Sequence, residues 1–127
     1  MQDVPQNYKT AAILMLIAGI MNLLQSLSMG LICVIYGIMT FGICCVGCVF
    51  PVLNIAAGIA EIVTASKMMK GEAVPSAPQV SIGGIVCGAL GLALLPMILE
   101  IIATVMLNDD EVKIFLANNA PDPDLLT

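Results

Sequence analysis

Residues 11–66 are almost continuously apolar, and a second apolar stretch runs from Val80 to Leu107. Few folds accommodate two such runs in a chain of 127 residues. A helix needs about 20 apolar residues to cross the hydrocarbon core of a bilayer, with a working range of about 17–25. The second stretch fits one crossing. The first fits two crossings of about 25 residues each, joined by a tight turn near Gly37–Gly42. Composition agrees, with 60% hydrophobic and 10% charged residues and a mean hydropathy of +1.06. A soluble domain holds about 45–50% apolar and about 25% charged residues. The expected fold is therefore a single all-α membrane domain with three transmembrane helices, at about 11–36, 43–67 and 80–107. A division into four spans, breaking near Ser28–Gly30 and at Pro51, stays open. It would force a first span over Thr10–Ser26, at the lower limit of length.

The flanking segments give orientation. Residues 1–10 form a short polar arm, and the 67–79 segment carries Gly71, Pro75 and Pro78, so it is a loop. Three spans would bring Lys9, Lys67 and Lys70 to one side and the acidic 108–127 tail to the other. The positive-inside rule makes the lysine side cytoplasmic. One lysine before an unbroken apolar run is not a cleaved signal peptide, so the N-terminus is expected to stay attached. In the tail, Asn108 followed by Glu111 is a helix-start pattern, and Val112, Phe115 and Leu116 share a face. A short amphipathic helix over about 109–118, lying at the membrane surface or on another subunit, is expected; Pro121 and Pro123 end it. A net charge of −5 with four lysines and no arginine leaves no basic patch for nucleic acid.

Turning each span at about 100° per residue sorts its side chains by face. Ala18, Gly19, Asn22, Gln25 and Ser26 align in the first span. Asn54, Ala57, Gly58, Glu61, Thr64 and Ala65 align in the second. Ala89, Ala93, Pro96, Glu100 and Ala103 align in the third, beside a face bearing Gly84, Gly88 and Gly91. Lipid offers no hydrogen bonds, so polar side chains turn toward protein or water. Small residues let helix backbones approach closely. The stripes should meet in a bundle interior or on a partner, with Gly19, Gly58, Gly84, Gly88 and Gly91 as packing positions.

The candidate chemistry is sparse. Cys45-x-x-Cys48 is half of a metal site, but closed zinc sites take four ligands and the chain has no histidine. Cys33, Cys44, Cys45, Cys48 and Cys87 read as small, lipid-tolerant residues. No metal or cofactor is expected. Asn22, Gln25, Asn54, Glu61 and Glu100 form the candidate intramembrane polar or ion site. An acid near the bilayer centre costs about 2.5–3.5 kcal/mol on insertion scales, so it is rarely idle. With three spans, Glu61 and Glu100 lie toward opposite membrane faces and do not form one pair.

The segments "AAILMLIAGIMNLL", "CVFPVLNIAAGIAEIVTASKMMKG" and "IIATVMLNDDEVKIF" resemble those of small bacterial integral membrane proteins of unassigned function. That resemblance implies a multi-pass protein of the bacterial inner membrane and carries over no catalytic or binding residue. A weaker likeness, of "AAGIAEIV" to rotor-ring hairpins with one carboxylate, lacks the polar loop between helices. The expected function is non-enzymatic: a membrane subunit acting in assembly or scaffolding, packed by its small-residue faces on copies of itself or other membrane subunits. The alternative is a proton- or cation-conducting oligomer using Glu61 or Glu100.

Overall fold

The computed structural model describes residues 3–39, 49–91 and 93–120. Among them are five α-helices and no strand: α1 (Gln6–Met39), α2 (Val49–Met69), α3 (Ala77–Leu90), α4 (Leu94–Leu107) and α5 (Asp110–Asn119). Two of these, α1 and α2, are long and apolar enough to cross a membrane. Residues 40–42 of the expected first turn, and Cys44, Cys45 and Cys48, lie outside the described residues.

Helices α1 and α2 run antiparallel and touch through glycine. A Cβ on Gly19 would lie 2.9 Å from the Gly58 carbonyl oxygen, and a Cβ on Gly58 would lie 2.9 Å from that of Gly19. Both positions therefore need the smallest side chain so that the backbones can meet. At the end of the bundle where α1 begins and α2 finishes, called the open end, the Tyr8 hydroxyl donates to the Glu72 carbonyl at 2.8 Å and accepts from the Val74 amide at 2.9 Å. These bonds fasten the α2–α3 connection to the start of α1. That connection turns at Gly71, whose φ of 81° lies in the left-handed region. Pro78 follows in the first turn of α3, where a missing N–H leaves no bond unmade.

The expected single span over 80–107 is instead two antiparallel helices. Ser81 bonds to Glu100 and meets Thr104, while a Cβ on Gly88 would lie 3.3 Å from the Met97 Cβ. Pro96 gives the physical reason for the break. Inside a continuous helix its ring would clash with the carbonyl four residues earlier, at a cost of about 3 kcal/mol. With the chain broken after Leu90, Pro96 falls in the first turn of α4, where no N–H is required of it. At about 1.5 Å per residue, each arm of the hairpin is about 21 Å long, short of a full crossing.

The four helices close into a ring, α1 on α2, α2 on α3, α3 on α4 and α4 back on α1. The hairpin tip reaches only to the level of Gln25, whose side-chain amide donates to the Gly91 carbonyl at 3.3 Å. Beyond Ser26, α1 has no buried residue. Helix α5 packs at the open end of the bundle: the Tyr8 and Phe115 rings are 5.1 Å apart, and the Asn7 amide donates to Asp109 at 3.1 Å. The acidic tail, expected opposite the N-terminus, therefore begins beside it. The cap of α5 is also one residue later than expected. Asp109 accepts from the Glu111 amide, while Asn108 closes α4 and donates to the Thr104 carbonyl. Val112, Phe115 and Leu116 do face inward.

Candidate functional site: a buried carboxylate pair

The ring of helices has a polar interior. Asn22, Ser26, Asn54, Glu61, Thr64, Ser81 and Glu100 are buried, whereas Ile17, Leu24, Ile59, Val86, Ile98 and Val105 are exposed. Buried positions recur every three or four residues on α2 (Asn54, Gly58, Glu61, Thr64/Ala65) and on α4 (Pro96, Glu100, Ala103, Leu107), so each helix turns one stripe inward.

Glu61 and Glu100 meet at the centre. The break before α4 reverses the chain and returns Glu100 to the depth of Gly84. The site of a Gly84 Cβ lies within contact of Glu61 Oε1 and 3.1 Å from Glu100 Cδ. The two carboxyls therefore face one another across a glycine, and the expectation of separated acids is corrected. Both residues are fully buried. All four lysines are exposed, and among the described residues no cationic side chain meets either carboxyl.

Hydrogen-bond donors surround the pair instead. The Asn22 amide donates to Glu61 Oε2 at 3.0 Å and to Oε1 at 3.3 Å. The Ser81 hydroxyl bonds to Glu100 Oε2, lies 3.1 Å from the Glu100 carbonyl oxygen, and is 2.9 Å from Thr104 Oγ1. Ser26 donates to the Asn22 carbonyl at 2.6 Å. Among the described residues, two buried acceptors, Glu100 Oε1 and Asn22 Oδ1, have no partner. Buried polar atoms are rarely left so, and an orphaned atom in a native site marks a strained or functional position, or one that water or an ion completes.

Of the five sequence-derived site residues, the structure brings Asn22, Glu61 and Glu100 together. Gln25 and Asn54 sit one level away at the hairpin tip, where the Asn54 amide fills the space a Cβ on Gly91 would take. The packing glycines all face the interior of this chain: Gly19 against Gly58, Gly84 against the carboxyls, Gly88 against Met97 and Gly91 against Asn54. Sequence reasoning passed over Ser81 and Thr104. Ser81 lies three residues before Gly84 and Thr104 four after Glu100, so helical spacing puts each on an inward stripe. Among the described residues, no group of three or more His, Cys, Asp or Glu side chains is placed to hold a metal ion. No protein-family model, curated protein or solved structure matches this chain.

Proposed function

We propose that this chain is an integral membrane protein that exchanges a proton or small cation at the Glu61–Glu100 pair. In this reading α1 and α2 cross the bilayer, and α3–α4 enters from one side and returns to it. The reading of membrane insertion is supported by a bundle that is polar inside and covered outside by large aliphatic side chains. The observation that carries the functional reading is the buried pair itself. Two carboxyls this close, with no cation beside them, cannot both stay charged in a low-dielectric interior. Each cycle of exposure to water would therefore bind or release a positive charge. The lysines Lys9, Lys67, Lys70 and Lys113 all belong to the open end, which is thereby cytoplasmic.

The test is flux in vesicles reconstituted with the full chain. Glu61→Gln and Glu100→Gln keep shape and most hydrogen bonding while removing the titration. Both variants should purify with wild-type size and helicity, and at least one should abolish proton or cation flux. Flux equal to wild type in both would overturn the reading.

Assembly is the second reading, and one observation favours it. Past the hairpin tip, an apolar groove of about 610 Å³ opens between α1 and α2, lined by Leu27, Leu31, Val34 and Val52 among the described residues. A scaffold would use that surface on another membrane subunit and need only volume at the glutamates. Both Gln variants would then keep the host function intact.

A further inference from the structure

We propose that the species held by the Glu61–Glu100 pair is a single proton, delivered from the open end along Thr104 and Ser81. This rests on the exchange reading above and names its ligand and route.

The hydrogen-bond inventory separates a proton from a metal cation. Both Glu61 oxygens face the Asn22 amide N–H groups, and Glu100 Oε2 faces the Ser81 hydroxyl. Hydrogens pointed at the carboxylates repel a cation from the same oxygens. Calcium takes about 6–8 oxygen ligands and magnesium about six. Here one carboxyl oxygen, Glu100 Oε1, and one amide oxygen, Asn22 Oδ1, are unpartnered, and both belong to residues at most 1% exposed. One proton on the pair supplies a donor for one of these acceptors. Among the described residues, the titratable groups on the elements around it are few: α2 offers Glu61, α4 offers Glu100, and α3 offers the half-buried Cys87 thiol. From α1 come only Asn22 and Ser26, which do not titrate.

The route follows from burial. Thr104 is half-buried and lies within the last turn of α4, near the open end. Its hydroxyl is 2.9 Å from that of the fully buried Ser81, which bonds to Glu100. A proton arriving from water on Thr104 Oγ1 lets Thr104 pass its own hydrogen to Ser81. Ser81 then passes its hydrogen to Glu100 Oε2. Each hydroxyl gains one proton and loses one, and the carboxyl pair gains the charge.

The experiment is infrared spectroscopy of the full chain in lipid vesicles. It follows the C=O stretch of protonated carboxyl groups after pH jumps, in sodium, potassium or choline buffers. A band that disappears in Glu61→Gln or Glu100→Gln, with a midpoint unmoved by the salt cation, is expected. Ser81→Ala and Thr104→Val should keep the band yet slow its response by about 100-fold, the usual weight of a positioned proton-transfer group. Ser81→Thr should restore the speed. A midpoint that moves with sodium concentration would make a metal cation the ligand and overturn this proposal while leaving exchange standing. A response as fast as wild type in both hydroxyl variants would overturn the route. A wild-type chain with neither a pH-sensitive band nor flux would sink the exchange reading itself.

Discussion

At Gly84 a single hydrogen atom decides whether two carboxyls can share one site. A methyl group there would enter the space of Glu61 Oε1 and crowd Glu100 Cγ and Cδ at 3.1 Å. A methyl group on Gly58 would instead press on the backbone carbonyl of Gly19 at 2.9 Å. A Cβ on Gly83 meets nothing within 4 Å. These three neighbourhoods predict three outcomes. Gly58→Ala should force α1 and α2 apart and cost about 1–3 kcal/mol, the range for overpacking. Gly84→Ala should unfold closer to wild type, because carboxyl tips can move, yet lose flux because the pair is displaced. Gly83→Ala should be neutral or stabilising by up to about 1 kcal/mol from helix propensity. Thermal unfolding in detergent beside vesicle flux checks all three; equal stability of the Gly58 and Gly83 variants would contradict the backbone contact. The inward positions were legible in sequence because small and polar residues stand out from otherwise large aliphatic helices, so helical spacing collects them. Whether the glycines faced a partner or the chain's own helices was not legible. That depends on which stripe the chain folds onto which.

At the scale of the element, hydropathy read α1 and α2 correctly as long apolar helices and misread the stretch from Val80 to Leu107. A window of summed apolarity cannot tell one long helix from two short ones, since both are equally apolar. The information lay in Gly91, where the Asn54 amide takes the space of a Cβ, and in Pro96, which breaks a continuous hydrogen-bond ladder. The same misreading separated Glu61 from Glu100 and sent the tail to the wrong end. The hairpin makes a sharp prediction. In a cysteine-free background, Gly88→Cys with Met97→Cys should form an intramolecular disulfide on mild oxidation. The Gly88 Cβ site is 3.3 Å from Met97 Cβ, near the roughly 3.5–4.5 Å that disulfides span. On one continuous helix these positions would stand about 14 Å apart along the axis, beyond any bridge. A pair that stays reduced, by mass and by gel mobility, would restore the single span.

At the scale of the whole molecule, an antiparallel ring with a returning hairpin puts the described beginning and end of the chain together. Asn7 bonds to Asp109, and the Tyr8 ring packs tilted against that of Phe115. All four lysines then share one side, where three crossings would have placed Lys113 opposite the others. The positive-inside preference counts lysines near the helix ends and gives acids little weight, so the acidic residues of α5 do not oppose the proposed orientation. Single cysteines report it directly. With the native cysteines removed, Gln6→Cys, Ser76→Cys and Asn119→Cys should all react with an impermeant thiol reagent from the cytoplasmic side. Gly37→Cys, near the end of α1 and with open space around its Cβ site, should react only from the other side. Helix α1 is about 51 Å long at 1.5 Å per residue, against a hydrocarbon core of about 30 Å, so its far end has length to emerge. Labelling of Asn119 opposite to Gln6 would break the returning hairpin. A Gly37 cysteine that reacts from the cytoplasmic side, or only after detergent is added, would mean that α1 and α2 dip into the bilayer without crossing it. The carboxyl pair would then have access to one aqueous phase alone, and a flux role would give way to proton uptake from that side.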